Sequence, residues 1–144
     1  MRRKPMWPIF WTLLGVFVVI VSAVAIPAFR EVVMGFLFIV IAGAVFGFLG
    51  IALLFFTVKQ QVSGLPEKFL LLTGAAAVGI PISIFLHNAV YGLFIQWFGA
   101  DFWKGGDEPF FFIMGIIVCP LGFLVGVVGS IILAARRQKQ LSVS

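Results

Sequence analysis

The side chains of this sequence that can do chemistry lie close together around its only histidine, His87. Ser83 and Tyr91 lie one helical turn before and after it, and Asn88 follows it directly. A serine and a histidine can form a nucleophile and base pair, but no G-x-S-x-G pattern surrounds Ser83 and no acidic residue lies within an apolar segment to orient the imidazole. We therefore expect His87 to be hydrogen-bonded to its neighbours, with proton sensing or metal binding as the functional alternative.

A second group of candidates is the acidic pair Asp107 and Glu108, which directly precedes Pro109. Aspartate is a favoured N-cap residue, proline is favoured at the first helical position, and negative charge is favourable at the positive end of a helix dipole. The sequence therefore predicts a helix that begins at Pro109 with Asp107 as its N-cap. Together with Glu31 and Asp101 these carboxylates offer oxygen ligands for a hard cation. Their spacing matches no EF-hand loop, so we expect capping and solvation instead.

The other motifs that would indicate catalysis are missing from the sequence. Cys119 is the single cysteine, so the chain forms no internal disulfide and contains no C-x-x-C. It contains no P-loop, no G-x-G-x-x-G and no H-E-x-x-H pattern. We therefore predict a protein that is not an enzyme and that binds no cofactor and no metal ion, with Cys119 as a small apolar filler.

The composition indicates which elements must position these residues. Of the 144 residues, 62% are hydrophobic and 10% are charged, and the mean hydropathy is +1.21, whereas a soluble domain averages about 25% charged residues. The charged residues leave four uncharged windows, each longer than the roughly 20 residues with which a helix crosses a bilayer. These windows are 5–29, 32–58, 69–100 and 109–135. They argue against a soluble enzyme or a DNA-binding domain, and they lack the alternation of a membrane β-barrel strand.

We predict an all-α integral membrane protein that forms a single membrane domain over residues 1–144. Its four transmembrane helices are expected to form two antiparallel hairpins. A short interfacial helix is expected in the outer loop between the third and fourth, because Phe94, Trp97, Phe98 and Phe102 recur there at helical spacing. The approximate helix bounds are 8–28, 32–58, 67–92 and 109–135, and the basic tails are 1–6 and 136–144.

The basic residues predict the orientation of these helices. Eight of the ten lysine and arginine residues fall on one side of the membrane in this scheme. They are Arg2, Arg3, Lys4, Lys59, Lys68, Arg136, Arg137 and Lys139. Only Arg30 and Lys104 fall on the other, so the positive-inside rule places both termini in the cytoplasm, most simply at the cytoplasmic membrane. The net charge of +5 then serves topology and contact with an anionic leaflet, and we expect no nucleic acid partner.

The N-terminus leaves one alternative open. The basic residues 1–4, the apolar run after them and the sequence Ala23-Val24-Ala25 resemble a signal peptide with an A-x-A cleavage site. The uncharged run is longer than the usual apolar region of about 7–15 residues, so we expect a retained first helix. Cleavage after Ala25 would instead leave three helices and an external N-terminus.

Two prolines mark the middle of the third and fourth helices. At 1.5 Å per residue, Pro81 lies ~18 Å from Phe69, where its apolar window starts. Pro120 lies ~16 Å from Pro109, the start of its own window. His87 lies ~27 Å from Phe69, near the outer boundary. Each proline removes a backbone donor and favours a kink. Broken helices at mid-depth are typical of transporter sites. No charged residue accompanies these two, so we expect tolerated, shape-giving prolines.

The sequence contains two glycine triplets with the same internal spacing, and the second lies 79 residues after the first. They are Gly43, Gly47 and Gly50 in the second helix and Gly122, Gly126 and Gly129 in the fourth. Small residues four apart let helices approach closely in lipid. We expect these faces to pack within the chain, and an oligomer interface is the alternative. An internal duplication would explain the shared spacing, but the first and third helices show little resemblance, which favours convergent packing.

The function that these observations favour is that of a non-catalytic membrane protein. It would be a small subunit, anchor or assembly partner of a larger membrane complex, in contact with the lipid bilayer and with a protein partner or a second copy of itself. The alternative is a small oligomeric transporter or channel, whose path is shaped by the kinked third and fourth helices with His87 and Asn88 at its outer mouth.

Overall fold

The computed structural model describes residues 5–29 and 35–143, which form helices and short turns. The α-helices are α1 (Met6–Ala25), α2 (Phe36–Lys59), α3 (Leu65–Phe98), α4 (Pro109–Ile113) and α5 (Cys119–Val143). Two 3-10 turns, Pro27–Phe29 and Ala100–Trp103, lie between helices. A π-helical turn, Met114–Val118, joins α4 to α5. Residues 1–4 of the basic tail, the predicted turn at Arg30 and Glu31, and positions 32–34 of the predicted second helix lie outside the described residues.

Four helical stretches are long and apolar enough to span a membrane. They are Met6–Ala25, Leu37–Lys59, Leu65–Phe98 and Pro109–Gln140. The last of these contains α4, the π turn and most of α5, and we call it the fourth span. The chain is thus a helical protein with four candidate membrane spans, which corresponds to the four uncharged windows of the sequence.

The third span is longer than the sequence predicts. The expected helix ends near residue 92 and is followed by a separate interfacial helix, but α3 continues through Gly92 to Phe98, which makes it about 50 Å long at 1.5 Å per residue. The chain turns only at Gly99, where φ is +90°, a conformation that glycine adopts at little cost. The aromatic residues assigned to an interfacial helix therefore belong to the last turns of α3 and to the 3-10 turn after it.

Glycines let α3 approach α2 very closely. A Cβ atom added at Gly50 would lie 2.9 Å from Val78 Cγ2 and 3.0 Å from the carbonyl oxygen of Gly74. At Gly47 it would lie 3.3 Å from Cγ of Pro81. Gly50 contacts Gly74 and Val78, whereas Gly47, one turn earlier on α2, contacts Pro81, which lies later on α3. These two helices are therefore antiparallel at this contact. Pro81 therefore packs against the glycine face of α2.

The opposite side of α3 packs against the fourth span in the same manner. A Cβ atom added at Gly126 would lie 2.8 Å from the Thr73 amide nitrogen and 3.0 Å from the Phe69 carbonyl oxygen. At Gly79 it would lie 2.7 Å from the Sγ atom of Cys119. Both glycine triplets thus line contacts within the chain, one on each side of α3.

The first helix completes the interior through aromatic contacts. The ring of Phe17 lies 6.0 Å from that of Phe46 on α2 and 4.6 Å from that of Phe123 on α5, measured between centroids. Leu13 and Phe10, one and two turns earlier on α1, are fully buried. Helix α1 therefore packs where α2 and α5 meet.

Two buried hydroxyl groups in the interior are bonded within their own helices. Thr57 donates to the Leu53 carbonyl oxygen at 2.7 Å, and Thr73 donates to that of Phe69 at 2.8 Å. The hydroxyl of Ser130, a residue that is 2% exposed, has no partner in the described part of the chain. Large apolar side chains cover the outside, for example Phe48 at 72% exposure. This distribution is that of a protein whose surface faces lipid rather than water.

Candidate functional site

The structure brings three of the predicted residues together at one end of the helices. The Nε2 atom of His87, on α3, lies 3.3 Å from Oδ1 of Asp107. Its Nδ1 atom lies 3.1 Å from the carbonyl oxygen of Glu108 and 3.4 Å from its Oε2. Exposure of the side chains is 15% for His87, 56% for Asp107 and 6% for Glu108. We call these three residues the His87 cluster.

The start of the fourth span positions the acidic half of the cluster. Glu108 has an extended backbone, and its carboxylate accepts hydrogen bonds from the amides of Phe110 at 2.8 Å and Phe111 at 2.9 Å. Glu108 is therefore the N-cap, and the prediction of Asp107 as N-cap was wrong by one residue. Oδ1 of Asp107 accepts instead from the amide of Glu108 at 2.9 Å. The longer glutamate side chain reaches the first-turn amides while Pro109 takes the first helical position.

Aromatic rings enclose the imidazole on two sides. The ring of Tyr91, one turn along α3, is stacked with it at 6.5 Å, and that of Phe112 lies at 5.6 Å. Trp103 stacks on Tyr91 at 5.9 Å and donates from Nε1 to the Tyr91 carbonyl oxygen at 3.3 Å. This bond ties the 3-10 turn back onto α3. Neither Trp103 nor Phe112 was among the predicted site residues, because no periodicity in the sequence reports a contact made across the turn at Gly99.

An aromatic surface extends from the cluster to the end of α3. The ring of Phe94 lies 5.5 Å from that of Phe98 and 5.1 Å from that of Phe102. Trp97 and Phe98 are 65% and 61% exposed, and across the turn Phe110 is 62% exposed. We call the exposed rings of Trp97, Phe98, Phe102 and Phe110 the aromatic surface.

Two other predicted residues stand apart from the cluster. Asn88 is exposed and donates to the Ile84 carbonyl oxygen of its own helix at 2.8 Å. Ser83 is 6% exposed and faces Gly115 of the fourth span, where an added Cβ would lie 3.1 Å from its own Cβ. Both ring nitrogens of His87 face the acidic residues, so the geometry does not assemble a serine–histidine pair.

The two central prolines have different surroundings. Pro81 lies inside α3 and contacts the glycine face of α2. Pro120 follows the π turn, in which the Cys119 amide donates to the carbonyl oxygen of Met114, five residues earlier. A π turn before a proline is one way in which a helix accommodates the missing donor.

The cluster does not have the form of a metal site. Among the residues that the structure describes, no three or more His, Cys, Asp and Glu side chains are placed to hold a metal ion.

Comparison of the sequence with protein families, with curated proteins and with solved structures returns no match. The described residues thus form a helical chain with four candidate membrane spans and a histidine–carboxylate cluster between the C-terminal half of α3 and the start of the fourth span.

Proposed function

We propose that this protein is a non-catalytic subunit, anchor or assembly partner within a larger membrane complex. The observation that supports this most is the close packing on both sides of α3. On one side the glycine face of α2 meets Pro81, Val78 and the Gly74 carbonyl oxygen, and on the other Gly126 meets the backbone of residues 69–73. Backbone-to-backbone contact of this kind leaves no room for a solute between these helices.

The same packing weighs against a transport path through a single copy. Thr57 and Thr73 bond to their own helices, and Cys119 fills the space beside Gly79. These three side chains are thereby occupied or covered and are not available to a solute. A channel would need to form between copies, along faces that now carry exposed apolar side chains.

The aromatic surface is where we place the partner contact. Trp97, Phe98 and Phe110 are each more than 60% exposed, and aromatic side chains are enriched in protein interfaces. The bond from Trp103 to Tyr91 holds the neighbouring turn in place, so the surface is presented in a fixed shape. Preorganisation of this kind lowers the entropic cost of association.

We further propose the topology that the charges indicate. The protein lies in the cytoplasmic membrane with both termini in the cytoplasm, and the chain crosses this membrane as two antiparallel hairpins. The His87 cluster and the aromatic surface then lie at the outer face. The orientation rests on the distribution of lysine and arginine residues alone.

Native mass spectrometry of the protein released from its own membranes in mild detergent tests the proposed role. We expect the chain to be recovered in an assembly with a second polypeptide or a second copy. Trp97→Ala combined with Phe98→Ala should reduce that assembly at least tenfold, whereas Phe48→Ala, an equally exposed ring on α2, should leave it intact. A lone monomer from native membranes, together with solute flux in proteoliposomes, would favour the transporter alternative instead.

A further inference from the structure

The atoms around His87 determine which form of its imidazole fits the cluster. Nδ1 faces the carbonyl oxygen and Oε2 of Glu108, and Nε2 faces Oδ1 of Asp107. A carbonyl or an ionised carboxylate oxygen accepts hydrogen bonds and donates none. A neutral imidazole has one N–H donor and one bare nitrogen, so it would set a lone pair against one of these oxygens. The imidazolium donates from Nδ1 to Glu108 and brings its positive charge to within 3.3 Å of Oδ1 of Asp107, so it is attracted to both residues.

We propose that His87 is a proton-binding site and that the bound proton fastens the C-terminal half of α3 to the start of the fourth span. The proton gives the ring a positive charge, so it pairs both Asp107 and Glu108 with one ring. These two residues lie 20 and 21 positions away along the chain, and Glu108 is the N-cap of the fourth span. The proton therefore joins two helices, in addition to changing one charge.

Burial within the cluster strengthens the attraction between protonated His87 and the carboxylates. Glu108 is 6% exposed and His87 is 15% exposed, so their attraction is screened less than that of a surface pair. Asp107 is 56% exposed, which gives the proton a route from solvent to Nε2. The buried side of the cluster, at Glu108, thus strengthens the electrostatic attraction, and the exposed side, at Asp107, gives solvent access to Nε2.

Within residues 5–29 and 35–143, the titratable groups that face the imidazole come from two elements. Asp107 and Glu108 belong to the segment before α4, and Tyr91 belongs to α3 itself, stacked on the ring at 6.5 Å. The side chain that α4 contributes is Phe112, which does not titrate. Asp101 and Lys104 of the intervening loop are exposed, and the charged residues of α2 and α5 lie at the opposite ends of those helices. Among these groups, the charged ones that contact the imidazole are the two carboxylates.

Charge determines the sign of the effect. At a pH where His87 carries its proton, the imidazolium is paired with both carboxylates and the two helices are held together. As the pH rises and the proton leaves, this attraction is lost and the lone pair of one ring nitrogen faces a carboxylate. The change is independent of the partner contact proposed above, since it involves only residues of this chain.

The single histidine makes the test direct. Full-length protein labelled with ¹⁵N-histidine in lipid bicelles gives one imidazole signal, whose shift reports protonation as the pH is varied. We expect Asp107→Asn to lower the proton affinity of His87 about threefold to tenfold, because it removes one facing charge. Asp101→Asn, an exposed carboxylate of the same loop, is the matched control and should change the affinity less than twofold. Equal proton affinity in the wild type and in Asp107→Asn overturns the proposal.

A second measurement tests the fastening itself. Hydrogen-exchange protection of the amides of residues 110–113, each rate normalised to the intrinsic rate at the same pH, should decrease at least threefold as His87 loses its proton. Glu108→Gln keeps an oxygen for the helix amides and so remains folded, but it should reduce this pH dependence. Protection that stays constant across the titration would show that the proton does not join the helices, and would overturn the proposal as well.

Discussion

Substitution of Gly126 by alanine tests the packing of α3 most sharply. The added methyl group would overlap the Thr73 hydroxyl and would lie 2.8 Å from the Thr73 amide nitrogen and 3.0 Å from the Phe69 carbonyl oxygen. Two of these atoms are backbone and cannot rotate away, so the helices must separate. Overpacking of this kind costs about 1–3 kcal/mol, and separation also loses neighbouring contacts. Alanine returns about 1 kcal/mol of helix propensity relative to glycine, which leaves a net loss of up to about 2 kcal/mol, and the lost neighbouring contacts add to it.

Gly122→Ala is the matched control for this substitution. It lies one turn earlier on the same helix, and the added methyl group would lie 3.7 Å from Ala76 Cβ and 3.7 Å from Leu72 Cδ1, an ordinary contact. We expect no loss of stability and a gain of up to about 1 kcal/mol from helix propensity. The two variants carry the same chemical change, so their difference isolates the close approach at Gly126.

Unfolding in mixed micelles of mild detergent and SDS, followed by circular dichroism, measures both variants. The expected order of stability is Gly122→Ala, then wild type, then Gly126→Ala. Gly129→Ala should fall between wild type and Gly126→Ala, because its added methyl group meets only the side-chain ring of Phe69, which can move. Equal stabilities for Gly122→Ala and Gly126→Ala would refute the close contact between α3 and the fourth span.

Two further substitutions test the end of the bundle that carries the His87 cluster. Glu108→Ala should lower the free energy of unfolding by about 1–3 kcal/mol, because it removes the acceptor of two first-turn amides and the carboxylate beside His87 Nδ1. Glu108→Gln should retain most of this stability in the same unfolding assay, and equal losses in the two variants would contradict the capping role. Trp103→Phe should cost about 1 kcal/mol through loss of the bond to the Tyr91 carbonyl oxygen, whereas Trp97→Phe, at a ring that is 65% exposed, should change stability little. If Trp97→Phe were the more damaging of the two, the exposed position assigned to Trp97 would be wrong.

The number of spans could be predicted from the sequence because charge is so costly in hydrocarbon. Fifteen charged residues in 144 divide the chain into windows that only a helix can fill, and the structure has an apolar helix at each of them. The ends of these helices were less predictable. Nothing between Tyr91 and Phe98 breaks a helix, so α3 continues until Gly99 takes a positive φ.

The candidate site could be predicted only in part, for a different reason. His87, Asp107 and Glu108 were recognisable as chemical side chains, but their contact depends on how α3 and the fourth span pack. That packing is determined by the glycines that face α3, and glycine spacing alone does not identify the partner helix. The same limit explains the error at Asp107, where the choice between neighbouring caps depends on backbone geometry.

The account depends on a chain that crosses the bilayer four times with both ends on one side. Reporter fusions at the N-terminus, at Lys104 and at the C-terminus measure this most directly, using one reporter that is active only in the cytoplasm and one that is active only outside. We expect both terminal fusions to be active in the cytoplasm and the Lys104 fusion to be active outside. Terminal reporters active in opposite compartments would contradict the four-span topology and the outer position of the His87 cluster.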